Sequence, residues 1–271
     1  MEVREFSLRI YKDGDNTVST YIQYPLNNFK KYGFVTNPEG LGIENTFDTI
    51  RIGNRAVLTE IINELIPLTF ILNFSTYEKY KEFTSQLMYG KYKAVLLYKY
   101  ADTIYKRDIL IQSISKSEKS KGYLACNVTL APTSFWYEEI EYKENLVADE
   151  YKQILFENNS DTECEIELLF TKVNEFLLAV SGEKTLIGCR LKNLDELEYP
   201  YITYSSKNGD FYIRNQGAAI VQREDILNER YVDLEYSPLI QIPARENVYI
   251  QLKASAATTI NLTVRKFYTT V

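Results

Sequence analysis

The acids Glu163, Glu165 and Glu167 alternate with Cys164, Ile166 and Leu168, and the two-residue period of a strand puts all three carboxylates on one face. Paired carboxylates are the equipment of glycoside hydrolysis, but neighbours on one strand lie side by side instead of flanking a substrate. The spacing is that of the wet face of a half-buried strand. The three cysteines, Cys126, Cys164 and Cys189, are an odd number without CxxC spacing, which reads as buried free thiols. Asp13-Gly14-Asp15-Asn16 falls short of the ligand spacing of a calcium-binding loop and reads as a turn. The chain has no histidine. That removes the commonest general base, the Ser-His and Cys-His pairs, and the usual ligands of zinc, copper and non-haem iron. GxSxG, GxGxxG and phosphate-loop patterns are missing as well. No catalytic residue, metal ligand or cofactor-binding residue is therefore assigned, and the expectation is a protein that is not an enzyme.

The elements around these residues are mostly strands. The 271 residues, 45% of them hydrophobic and 14% aromatic, suffice for two ordinary domains with real cores. Lys and Arg nearly balance Asp and Glu through residue 140, so all of the net charge of −6 comes from the remainder. Neither half has the basic surface that nucleic acid requires, and no run of apolar residues is long enough for a helical membrane span. The start resembles no signal peptide, so the expected place of synthesis and residence is a cytoplasm.

Phe6, Leu8 and Ile10 alternate with polar residues before the Asp-Gly turn, and an extended pattern resumes from Val18 to Tyr24: a hairpin. Residues 33–49 show neither helical nor strand period and read as an irregular ordered loop. After a strand around Thr69–Phe74, Ser75 and Glu78 have capping-box spacing. Tyr80, Phe83, Leu87 and Met88 then share one stripe, and Gly90 suits a C-cap: the one expected helix. Lys93–Tyr100, Ile104–Ser115 and Tyr123–Leu130 read as further strands. At Pro132 the alternation stops, and Phe135, Trp136 and Tyr137 place three rings at a junction between two bodies. Beyond it come many short strands at regular spacing, the signature of a sandwich. The expected division is 1–137 and 138–271.

The N-terminal hairpin, the loop NPEGLGIE at 37–44, the helix from Thr76 to Tyr89, the junction TLAPTSFWYEE at 129–139 and the C-terminal PLIQIPARENVYIQL at 238–252 together resemble the distal tail proteins of long-tailed phages. The resemblance implies a mainly β protein: an N-terminal β-barrel or split sandwich with one helix, like tail-tube proteins, and a C-terminal galectin-like β-sandwich. It implies a homo-hexameric ring in the virion, at the tail tip, assembled in the host cytoplasm. That ring joins the tail tube protein to a tail-associated hub protein and in many phages holds receptor-binding proteins. On that reading the ring contacts are expected from Phe34, Asn37 and Leu41 of the loop and from the outward helix positions Tyr77, Lys81 and Gln86. Pro132, Phe135, Trp136 and Tyr137 form the domain junction. The alternative is a lectin-like tail protein that binds host-surface sugar through its second domain.

Overall fold

A computed structural model describes residues 4–11, 21–25, 33–42, 44–88, 94–118, 124–183, 185–197, 200–207, 210–214, 220–222, 230–233 and 240–271. The turn at Asp13–Asn16 and the C-cap at Gly90 lie outside them. The chain divides into two compact units, Met1–Glu138 with Tyr268–Val271, and Glu139–Phe267.

In the first unit, β1 (Arg4–Tyr11), β2 (Tyr21–Pro25), β3 (Gly33–Glu39), β4 (Glu44–Ile52), β5 (Arg55–Glu64) and β6 (Leu68–Phe74) precede helix α1 (Tyr77–Met88). β7 (Ala94–Tyr100), β8 (Thr103–Glu118), β9 (Leu124–Pro132) and the start of β10 (Trp136–Leu146) follow it. Strand β8 organises the unit. Its first half pairs with β7, which pairs with β1 and then β2; its second half pairs with β9, which pairs with β6 and then β3. A register shift between Ile111 and Ser113 marks the change, as a bulge does where a sheet must bend. Both sets of strands fill one core: Leu8 and Leu96 from one, Phe70, Leu72, Cys126, Val128 and Leu130 from the other, with Phe83 of α1 and Trp136. Of the two forms the resemblance implies, the described strands give the split one, and no barrel closes among them, β2 and β3 each having one partner.

Helix α1 forms where expected, with Phe83 buried and Tyr80 half-buried. The side chains of Leu87 and Met88 lie outside the described residues. Its cap is shifted by one from the expected box: Thr76 Oγ1 accepts from Lys79 N at 3.3 Å, while Ser75 Oγ receives Lys79 Nζ at 3.0 Å.

The expected irregular loop at 33–49 is corrected. Residues 33–39 form β3, and 44–52 form one arm of a separate two-stranded sheet with β5. Every described side chain of β4 is exposed, so no face has to be apolar throughout, and the alternation that marks a half-buried strand never develops.

The second unit holds the rest of β10, then β11 (Lys152–Phe156), β12 (Glu165–Thr171), β13 (Phe176–Ser181), β14 (Leu186–Leu191), β15 (Tyr201–Ser205), β16 (Asp210–Arg214), β17 (Ile220–Gln222), β18 (Val248–Ala254) and β19 (Thr258–Tyr268). One sheet runs β17-β16-β15-β12-β19-β10 and the other β11-β18-β13-β14. The alternate burial of β12, β13, β18 and β19 lets Ile166, Leu168, Ile260 and Leu262 of one sheet meet Leu178, Val180, Ile250 and Leu252 of the other in one core. Phe170 stacks on Phe176 at 4.0 Å between ring centroids. Each such side chain contributes about 1.5–3 kcal/mol by burial, so the sandwich needs no crosslink.

Candidate assembly surface

The residues with chemical potential are held in structural roles. Arg265 Nε lies 2.9 Å from Glu139 Oε1, Nη2 lies 3.1 Å from Glu167 Oε2, and Nη1 lies 3.7 Å from Glu165 Oε2. One guanidinium thus neutralises the acid face that carries two of the three alternating carboxylates. Arg265→Ala takes this shared guanidinium away from three neighbouring carboxylates. The site is partly exposed, and solvent screening sets the expected loss at about 1–2 kcal/mol. The midpoint of denaturant unfolding checks this, and the loss shrinks in about 1 M salt.

The cysteines are buried and unpaired with one another. Burial pushes the Cys126 thiol up to about 11 and Cys189 to about 12, and it raises Cys164 too. They stay protonated at neutral pH, where a nucleophile would need thiolate. Among the described residues no cluster of His, Cys, Asp or Glu is arranged to hold a metal, and no helix is long and apolar enough to cross a membrane.

What stands out instead is surface. Strands β4 and β5 pair only with each other, from Glu44↔Glu64 to Ile52↔Arg55, with one register shift between Asp48 and Thr49. The turn uses Gly53 at φ +63°, and Arg51 Nε donates to Gly53 O at 3.1 Å. Thr46 Oγ1 donates to Glu64 Oε1 at 2.5 Å, and Thr59 Oγ1 donates to Asp48 O at 2.9 Å. Phe47, Ile50, Ile52, Val57 and Leu58 are between 44% and 64% exposed. Ile50 faces Val57 across the ladder, with Ile52 two residues along the same face. A two-stranded sheet is marginal in water, and apolar side chains on an uncovered strand pair make this a candidate contact surface.

The chain leading into this hairpin is clamped. Trp136 Nε1 donates to Leu41 O at 3.0 Å. Arg107 Nη1 donates to the preceding carbonyl, Gly40 O, at 3.3 Å, and its Nε donates to Ser134 O at 3.1 Å. The Arg107 guanidinium is fully buried, 5.4 Å above the Trp136 ring, and burial lowers its pKa to about 10. Ser134 Oγ accepts from Asp108 N at 2.9 Å, and the Asp108 carboxylate accepts from Tyr137 Oη at 2.9 Å. The segment Ser134–Tyr137 is thereby tied to β8 and to Gly40–Leu41.

Of the expected contact residues, Leu41 is half-buried against the first core: it is a loop anchor. Tyr77 and Lys81 are exposed along α1 and line a shallow groove there with Glu78, Glu82 and Ser85. Phe34 and Asn37 lie in β3 and Gln86 in α1, and their side chains fall outside the described residues. At the expected junction, Trp136 and Tyr137 are buried, while Pro132 and Phe135 are half-buried. Sequence reasoning missed the hairpin altogether. Its signal was Gly53-Asn54 between two runs rich in β-branched residues, a turn pattern.

The family model for the distal tail protein N-terminal domain matches residues 19–133. No curated protein matches the chain. Among solved structures, the phage P2 baseplate in its activated conformation with calcium contains a chain of the same fold: TM-score 0.65, 13% identity, covering 99% of this chain and 100% of that one. The SPP1 distal tail protein, described as a paradigm of the hub adsorption apparatus in phages infecting Gram-positive bacteria, gives a TM-score of 0.54 at 13% identity over 96% and 98% of the two chains. Residues 19–133 thus match the N-terminal domain of distal tail proteins, and the chain along its whole length shares the fold of these two baseplate proteins.

Proposed function

We propose that this chain assembles as a homo-hexameric ring in the virion, at the tail tip, joining the tail tube protein to the tail-associated hub and to the receptor-binding apparatus where one is present. Its role is structural: it supplies complementary surfaces, and its ionisable groups serve the fold. The observation that carries this reading is the uncovered hairpin. A closed ring repeats one heterologous contact, so each copy needs a projecting element and a receiving one. At about 3.4 Å per residue, arms of nine and ten residues reach roughly 30 Å, enough to extend onto a neighbour.

The test is the solution mass of the full chain beside a variant carrying Ile50→Ser, Ile52→Ser and Val57→Ser. The expected result is a six-copy species for the parent and at least a tenfold loss of it in the variant, whose thermal unfolding is unchanged because these side chains are exposed already. A parent that stays monomeric at high concentration would sink the reading.

A further inference from the structure

We infer that the hairpin tip of one copy docks in the groove along α1 of the next copy, a contact that rests on the ring reading above. The two surfaces are complementary in charge and in apolar character. The hairpin is segregated along its length. At the tip, Arg55 shares the face of Ile50 and Ile52 and Arg51 stands on the opposite face, whereas Asp48, Glu60, Glu44 and Glu64 lie progressively toward the root. The groove presents Glu78 and Glu82 with Lys81 between them and the exposed ring of Tyr77 at one end. Among the described residues Arg55, Glu78 and Glu82 enter no ion pair. These three charges are therefore uncompensated within one copy.

The charges around the groove favour a basic tip. Lys116 Nζ lies 5.3 Å from the Tyr77 ring and 5.8 Å from the Tyr80 ring, and Lys79 Nζ is held on Ser75 Oγ at 3.0 Å. Lys116 is thus engaged over the Tyr77 and Tyr80 rings and Lys79 on Ser75, and the two carboxylates remain for the arginines. Lys81 then faces the acids Asp48 and Glu60 behind the tip. Arginine suits this position because its planar fork pairs with carboxylates in fixed geometry, and Tyr77 offers its ring to Ile50 and Ile52 while its hydroxyl stays wet. The copy's own hairpin does not occupy the groove, since every described side chain of β4 and β5 is exposed.

The experiment is a charge exchange in the full chain, read as the fraction of assembled protein by native mass spectrometry, with circular dichroism and thermal unfolding to establish folding. R51E/R55E and E78R/E82R are each expected to lower assembly about tenfold or more, because like charges then meet across the contact. Combining them is expected to restore assembly to within about threefold of the parent. Glu78 occupies the first turn of α1, so its reversal also disturbs the helix dipole. The milder pair R55E and E82R, single and combined, leaves that turn intact and should show the same loss and recovery. Loss without recovery in either set would overturn this contact and leave the ring standing. A monomeric parent would overturn both.

Discussion

Gly40→Ala should unfold the first unit at temperatures the parent tolerates, with an expected loss of about 4 kcal/mol or more. Gly40 has φ +83°, a conformation that disfavours an L side chain by about 1–2 kcal/mol. Steric overlap costs more. A Cβ at this position would stand 2.2 Å from Pro67 O and 3.1 Å from Leu68 Cα. Both are backbone atoms at the entrance to β6, and Leu68 is buried. Relief requires moving either that strand or the Gly40 carbonyl that Arg107 holds, and losses of this size belong to few mechanisms, strain at a special backbone position among them. Gly42 supplies the control. A Cβ there would meet only Thr270 Cγ2 at 4.0 Å, so Gly42→Ala is expected to stay within about 0.5 kcal/mol. Thermal unfolding of both variants checks the contrast; equal stabilities would refute the role of Gly40 in the clamp.

Trp136→Ala is the second large effect, at about 3–5 kcal/mol, the usual range for deleting a buried large aromatic. The side chain is fully buried, packs against Tyr98 with ring centroids 6.0 Å apart, and lies under the Arg107 guanidinium. Removing it opens a cavity, leaves Leu41 O without its donor, and takes away the face on which a buried cation rests. Trp136→Phe distinguishes packing from hydrogen bonding. It keeps most of the packing and loses the Nε1 donor, so about 1–2 kcal/mol is expected, the penalty for leaving a buried acceptor unpaired. If Phe were as damaging as Ala, the hydrogen bond would outweigh the packing, and the assignment of the loss to packing would fail. Two units can unfold separately, so the quantity to compare is the transition of the first unit.

These positions also show what is legible in the sequence. Strands with one buried face, such as Glu165–Thr171 and Thr258–Tyr268, announce themselves because the core imposes a period of two. Helix α1 announces itself because Tyr80 and Phe83 fall on the side that packs. The hairpin β4–β5 hides because no core in its own copy covers it, so alternation between core and water is never imposed on it. Residues 44–49 thus read as part of an irregular loop. Trp136 is legible as a large ring worth burying. Its bond to a carbonyl 95 positions away is not, because side chain to backbone contacts across that separation leave no periodic trace. The resemblance implies a ring; Leu41, expected among its contacts, packs half-buried against the first core, and the exposed strand pair β4–β5 was not among the expected contacts. The alternating acids do form a polar face, though the arginine that binds two of them comes from β19, about a hundred residues on.

The most direct measurement of the central claim is electron microscopy of the purified full chain, with rotational symmetry taken from averaged end-on views. Closed rings of six copies are expected, with the hairpin of each covered by its neighbour. Particles without rotational symmetry, or rings in which Ile50, Ile52 and Val57 remain open to solvent, would contradict it.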